Sequence, residues 1–362
     1  MAGKKHCPHC VNTTLAVNYY EGEEVDNCNT CGGLWFERGS LNAIIAAKCQ
    51  HVEEADYVAN LGPALEPSHR HCPDCGTRLQ VFHVLNDFHV DIDVCQRCDG
   101  AWVEKDTACK VAKSSAIKHA LVEMNKTVNW KTWIFQMLSR MPLEYNVKPR
   151  ITPWVTYALI AINTLIFLTY GFDPVLAGRV FGGFAIAPAD IQAGSHWWAF
   201  VTAIFLHGSL MHLIGNMYFL WVIGDNLEDA LGHWRFLGLY LLCGILAGLV
   251  SVLANLGSEI PSVGASGAIA GLFGMYILWF PNASMTFMFF VWQKKLAVMW
   301  YFAIWLALNF YGMAMGQQGI DYWAHVGGFI AGLAIGFALR QRVWTANPLL
   351  AHLAGPEVKV RR

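Results

Sequence analysis

The sequence predicts an all-α polytopic membrane protein, a bundle of six transmembrane helices preceded by two small cysteine-rich modules. Three observations carry this expectation. Most long uncharged runs lie after residue 150, eight of the eleven cysteines stand in CxxC pairs, and 55% of the 362 residues are hydrophobic against 14% charged. An ordinary soluble protein does not have this composition. The net charge of −1 argues against a strongly basic nucleic-acid binder. The start, Met1-Ala2-Gly3-Lys4-Lys5, leads into Cys and His instead of an apolar core, so no signal peptide is read and the N-terminus is expected in the cytoplasm.

The first half reads as a duplicated metal module. Cys7-Pro8-His9-Cys10 is answered by Cys28-Asn29-Thr30-Cys31, and Cys72-Pro73-Asp74-Cys75 by Cys95-Gln96-Arg97-Cys98. The stretch Cys31-Gly32-Gly33-Leu34-Trp35-Phe36-Glu37 parallels Cys98-Asp99-Gly100-Ala101-Trp102-Val103-Glu104. Two CxxC knuckles about twenty residues apart form a four-thiolate structural zinc pattern, with no open coordination position for catalysis. His6, His9 and His71 are rival ligands, but four cysteines already close each site. Between the knuckles, Val81–Val84 and Val90–Val94 alternate as short strands. Each unit is small, so metal is expected to supply folding free energy. The repeat resembles zinc ribbons of the transcription-factor IIB type, which implies a binding or scaffold role. The modules are placed at 1–50 and 68–110. Cys49, Cys109 and Cys243 read as small apolar residues. Residues 111–150 form a connector of helical composition, with Trp130, Lys131 and Trp133 suited to a membrane surface.

Spans are predicted at about 153–171, 207–224, 236–256, 264–281, 296–315 and 322–339. Arg140, Lys148, Arg150, Arg235, Lys294, Lys295, Arg340, Arg342, Lys359, Arg361 and Arg362 fall on one side. The positive-inside rule then makes both termini cytoplasmic, with residues 343–362 as a tail. The aromatic-rich first external loop, about 172–206, is expected to dip into the outer leaflet, and Ser284–Gln293 to form an interfacial loop.

With this topology the second, fourth and sixth spans enter from the same side. They carry His207, His212 and Asn216, then Ser266, then His325, to one depth. Ionisable groups there are costly and point to function. Gly267-x-x-x-Gly271 and Gly328-x-x-x-Gly332-x-x-x-Gly336 let the fourth and sixth helices approach closely, which would bring the Ser266 hydroxyl to the His325 imidazole. Histidine can activate a serine, and His212, Asn216 and the Ser266 amide can donate to an oxyanion. Asp321 is assigned to the helix N-terminus, leaving a Ser–His dyad.

His207-Gly208-Ser209-Leu210-Met211-His212-Leu213-Ile214-Gly215-Asn216, Gly264-Ala265-Ser266-Gly267 and Ala324-His325-Val326-Gly327-Gly328 together resemble a rhomboid intramembrane protease over about residues 150–342. The resemblance implies a six-helix core at 151–342 and cleavage of transmembrane segments of other proteins. It implies Ser266 as nucleophile, His325 as general base, His212, Asn216 and Gly264 at the oxyanion, and His207 as a further site residue. Three positions depart from the family pattern: Ala199 replaces an arginine, Ala230 a basic residue, and Ala270 an aromatic that stacks on the histidine. The chain is read as an intramembrane serine endopeptidase of a bacterial inner membrane, its partners being the bilayer, transmembrane substrates and a cytoplasmic protein held by the ribbons. The near-neutral charge gives no strong evidence for nucleic acid. The alternatives are a catalytically silent binder of transmembrane helices and a passive anchor for working zinc modules.

Overall fold

The computed structural model describes residues 4–10, 12–48, 61–125, 130–145, 149–317 and 319–361; Met1, Ala2, Gly3, Cys49, Lys148 and Arg362, used above, lie outside them. The chain divides into two compact units, residues 1–126 with 352–361, and residues 127–351.

In the first unit, β1 (Ala16–Tyr20), β2 (Glu23–Asn27), β3 (Leu34–Phe36), β4 (Ala64–His71), β5 (Arg78–Leu85), β6 (Phe88–Val94) and β7 (Ala101–Val103) build one antiparallel sheet. Its order is β1-β2-β3-β7-β6-β5-β4. Helices α1 (Ser40–Lys48), α2 (Lys105–Ala112) and α3 (Ser114–Met124) complete it. The strands read around Val81–Val84 and Val90–Val94 are present, in β5 and β6. The two modules, however, share one sheet: β3 pairs with β7, in the register Leu34↔Val103, Trp35↔Trp102, Phe36↔Ala101.

The join is made by side chains that cross over. A Cβ on Gly100 would stand 2.3 Å from the Trp35 ring, and one on Gly33 would stand 2.2 Å from the Trp102 ring. Each buried tryptophan therefore lies on the other module's glycine, where only hydrogen leaves room. Two cations repeat the pattern. Lys5 reaches Asp26 at 2.8 Å, Asp74 at 3.1 Å and also Glu37. Arg70 pairs with Asp93 and Glu104 and meets His9 Nδ1 at 3.3 Å. Burial works against the Lys5 ammonium, but the three carboxylates outweigh it and raise its pKa. The residues expected as a tail pack here too: Val358 bridges Phe88, Glu357 pairs with Lys110, and Arg361 lies 3.1 Å from Asp87.

The second unit runs α4 (Trp130–Ser139), β8 (Leu143–Tyr145), α5 (Trp154–Tyr170), α6 (Pro174–Phe184), α7 (Pro188–Gln192), α8 (Ala199–Thr202), a 3₁₀ turn at Ala203–Phe205, α9 (Leu210–Leu231), α10 (His233–Ala254) and α11 (Ser266–Trp279). Then come β9 (Ser284–Phe289), β10 (Trp292–Ala297), α12 (Val298–Ala314) and α13 (Tyr322–Ala346), followed by α14 (Pro348–Leu353). All six uncharged runs are apolar helices: α5 and α9 to α13. Among the described residues, α10 and α13 have spanning length and composition, and Ala199–Phe205 with α9, bent by 94°, makes at most a third. Helix α11 has 14 residues, about 21 Å at 1.5 Å per residue, against about 30 Å of hydrocarbon core. Large apolar side chains face outward, among them Leu165 at 63% and Phe337 at 73% exposure, as a lipid-facing surface requires.

Helix α9 starts later than the predicted run because Ser209 caps it, its Oγ accepting from the His212 amide at 3.2 Å. It continues through an acidic segment because those carboxylates have partners. Buried Glu228 accepts from Val155 N at 2.9 Å, Thr156 N at 2.8 Å and Thr156 Oγ1 at 2.7 Å. Asp229 takes the Arg150 and Ile151 amides at 3.0 and 3.1 Å. The end of α9 thus satisfies the orphan donors at the start of α5, without a basic residue at Ala230.

Two expected loops are structured. The first external loop contains α6 to α8, pinned by Trp198 Nε1 donating to Gly183 O at 2.9 Å and by the Ile186↔Ser262 bridge. The stretch Ser284–Gln293, read as an interfacial loop, instead forms the β9–β10 hairpin, and β8 adds in the register Leu143↔Thr286, Tyr145↔Ser284. Its aromatic alternation suits a strand, but the partner strand lies far away in sequence.

The centre is the contact of α11 with α13. A Cβ on Gly328 would stand 2.0 Å from Gly267 O, and one on Gly332 would stand 1.9 Å from Gly271 O. These obstacles are backbone atoms, which cannot swing aside. Gly332→Ala is expected to lower stability by about 3 kcal/mol or more, beyond ordinary overpacking. Gly178→Ala, in α6 with open space around it, should be neutral or slightly stabilising. Unfolding in detergent, followed by tryptophan fluorescence, compares the two; equal midpoints would contradict the close-contact account.

Candidate active site

The glycine contact sets the spacing of two polar side chains beside it. Ser266 precedes Gly267 at the first turn of α11, and His325 sits one turn before Gly328 on α13. Ser266 Oγ lies 2.8 Å from His325 Nε2. The first-turn amides of α11 have no i−4 carbonyl to bond, so the serine stands at the positive end of a helix.

Gly264 turns the chain into α11 at φ +132°, where L side chains rarely go. A Cβ there would also come 2.7 Å from His212 Cε1 and 2.8 Å from its Nε2. The His212 ring therefore lies over the segment that leads into Ser266. One turn along α9, Asn216 is buried with its Nδ2 lacking a hydrogen-bond partner among the described residues. A buried amide donor without an acceptor is costly, and this one belongs to a helix that faces the serine's segment. His207 precedes α9 instead of lying within a span. Its ring packs edge-on against His212 at 5.1 Å, and both ring nitrogens are buried without partners among the described residues. Its backbone is clamped by Tyr170, whose hydroxyl accepts from His207 N at 2.7 Å and donates to His207 O at 3.0 Å. Five of the predicted site residues, His212, Asn216, Gly264, Ser266 and His325, thus come from three helix N-terminal ends, and His207 backs His212.

Asp321 caps α13, accepting from the Ala324 amide at 3.0 Å, and its other oxygen accepts from Ser251 and Ser262, each at 2.5 Å. Its carboxylate ties α10, α13 and the segment before α11 together, and it meets His325 through the backbone, its carbonyl accepting from His325 N at 3.3 Å. Besides Ser266, the side chains against the His325 ring come from α12 and escape sequence reading. Asn309 Oδ1 lies 2.6 Å from His325 Nδ1, and the Trp305 ring leans on the imidazole at 5.5 Å and 39°. The aromatic missing at Ala270 is therefore supplied from another helix. The available signal was Trp305-x-x-x-Asn309, an amide in an otherwise apolar run.

Two four-sulfur clusters lie in the other unit. In each, Cys7, Cys10, Cys28 and Cys31, or Cys72, Cys75, Cys95 and Cys98, the sulfurs all fall within 4.8 Å of one another. Cys7–Cys31 and Cys28–Cys10 stand 3.7 and 3.9 Å apart, and Cys72–Cys98 and Cys75–Cys95 both 3.5 Å. Tetrahedral zinc with 2.3 Å bonds places its sulfurs about 3.8 Å apart, so the residues fit such an ion. The Thr77 hydroxyl and amide bring the Cys75 thiol down to about 6, while burial pushes those of Cys72 and Cys98 up. His9 faces Arg70, and none of His6, His9 and His71 joins a cluster. Cys243 is buried as a small apolar residue, while Cys109 is exposed.

Residues 194–342 match the Rhomboid domain family, and residues 6–47 match a transcription-factor zinc-finger family, the TFIIB-type zinc ribbon. RHOMBOID-like protein 5 of Arabidopsis thaliana is 34% identical over 146 residues, 40% of this chain and 45% of the relative. Rhomboid protease GluP of Bacillus subtilis (strain 168) is 29% identical over 188 residues, 52% of this chain and 35% of the relative. Rhomboid protein 1, mitochondrial, of Saccharomyces cerevisiae is 30% identical over 193 residues, 52% of this chain and 54% of the relative. The chain spans between about a third and just over half of the length of these relatives. The chain thus carries a Rhomboid domain over residues 194–342, within its apolar helices, and a TFIIB-type zinc ribbon over residues 6–47, at its first cysteine cluster.

Proposed function

We propose that this protein is an intramembrane serine endopeptidase that cleaves transmembrane segments of other proteins, with Ser266 as nucleophile and His325 as general base. The observation that carries the reading is the 2.8 Å contact between Ser266 Oγ and His325 Nε2, made within an apolar bundle. A serine hydroxyl is a weak nucleophile until a base takes its proton, and an imidazole nitrogen at hydrogen-bond distance is that base. Attack of Oγ on a peptide carbonyl moves the hydroxyl proton to Nε2. The same proton then passes to the leaving amine, and water repeats the sequence on the acyl-enzyme. The negative charge that develops on the carbonyl oxygen needs donors already in place. The first-turn amide at Ser266, the His212 ring and the unpartnered Nδ2 of Asn216 are those donors.

In this reading α5 and α9 to α13 are six crossings, and α9, α11 and α13 bring their polar ends to one leaflet. A substrate helix must open there, because carbonyls held in i−4 bonds do not present themselves to Oγ. The two cysteine clusters hold structural zinc, and the sheet they support is a partner-binding element.

Three outcomes test the proposal. In detergent or liposomes, wild-type protein should cleave a transmembrane reporter, and folded Ser266→Ala or His325→Ala should lose at least about a thousandfold in kcat. Cleavage that survives either substitution would remove the dyad. Asn216→Ala should lose about a hundredfold or more in kcat with KM nearly unchanged; a loss confined to KM would make Asn216 a binding group. Elemental analysis should find two zinc ions per chain and fewer in Cys7→Ser/Cys28→Ser protein; a full complement in that variant would overturn the metal assignment.

A further inference from the structure

We propose that Asn309 is the positioning residue of this site, its side-chain oxygen fixing His325 in the one tautomer able to accept the serine proton. The inference rests on reading Ser266 and His325 as a catalytic pair. Asn309 is 6% exposed in the middle of α12, between Leu308 and Phe310. A buried primary amide is tolerated only when both its ends are bonded. Here both are. Nδ2 donates to Trp305 O on the preceding turn at 2.7 Å, and Oδ1 faces His325 Nδ1 at 2.6 Å.

The direction of every proton follows. A backbone carbonyl only accepts, so the amide nitrogen must face Trp305 O, which leaves the amide oxygen facing His325. That oxygen also only accepts, so Nδ1 carries the hydrogen. A neutral imidazole has one N–H, hence Nε2 presents a lone pair to Ser266 Oγ, and the hydroxyl donates. The donor series Ser266 to His325 to Asn309 to Trp305 O therefore runs one way and ends on the α12 backbone. The Trp305 ring lies against the same imidazole, so one turn of α12 supplies both an in-plane acceptor and a packed face. The carboxylate that caps α13, Asp321, is committed to Ala324 N, Ser251 and Ser262. Unlike a carboxylate, an amide brings no charge to offset the imidazolium. Asn309 acts by orientation.

The test uses the full chain in micelles with ¹⁵N-labelled histidine, the His325 signals being assigned by their loss in His325→Ala. In wild-type protein the neutral ring should be protonated at Nδ1. Asn309→Leu should shift it toward Nε2 and lower kcat on a transmembrane reporter by on the order of a hundredfold, with KM little changed; a wholly wrong tautomer costs a serine triad about 10⁴. Asn309→Asp keeps an acceptor at the same atom and should recover the Nδ1 signature and most of the rate. An Nε2-protonated wild-type ring, or an Nδ1 signature that persists in Asn309→Leu, would overturn the proposal without recourse to activity. So would unchanged kcat in Asn309→Leu. If wild type cleaves no reporter while the tautomer still shifts in Asn309→Leu, the acceptor assignment stands and the catalytic reading fails.

Discussion

The membrane unit depends on two helix backbones meeting with no side chain between them. Where α11 crosses α13, carbonyl oxygens of Gly267 and Gly271 sit against the Cα atoms of Gly328 and Gly332. Lipid offers no hydrophobic drive for such a contact, so close packing and Cα–H···O attraction must supply it. The Ser266–His325 pair borrows its spacing from this contact, since Ser266 is one residue, and His325 three, from a glycine in it. A shift of the crossing by a fraction of an ångström would pass directly to the Oγ–Nε2 distance, and no flexible side chain intervenes to absorb it.

Around this contact, two carboxylates act as fasteners. Glu228 closes the start of α5 and Asp321 the start of α13, each by taking free amides that a helix start cannot satisfy alone. Glu228 is fully buried, which is costly for a carboxylate unless it is well bonded, and each of the two accepts several hydrogen bonds. Asp321 also holds Ser251 and Ser262, so the same oxygen that fastens α10 fastens the segment leading into Ser266.

Much of this was legible in the sequence. The six apolar helices follow from uncharged length, and the meeting of Ser266 with His325 follows from small residues at four-residue spacing on two helices. Both are local patterns. The hairpin at Ser284–Ala297 was not legible because its third strand, Leu143–Tyr145, is more than a hundred residues distant, and pairing across that separation leaves no periodic trace. Asn309 and Trp305 were missed for a related reason. Their importance lies in which way α12 faces, and an apolar run of uniform character does not reveal its buried side. Ala270 lacks the stacking aromatic, yet the His325 ring is held, because restraint is a property of the space around the ring and α12 fills it with Trp305 and Asn309.

The crossed tryptophans of the first unit have a consequence of a different kind. Trp35 covers the glycine beside the second cysteine cluster, and Trp102 covers the one beside the first. Each cluster thus has its lid in the other's chain segment, and Lys5 and Arg70 bind across the same boundary. Neither half can close its core alone. Metal uptake by such a pair would be an all-or-none event: the first ion would bind at the expense of ordering both halves, and the second would meet a site already built. A chain of this design would register metal scarcity as a sharp threshold rather than a gradual loss.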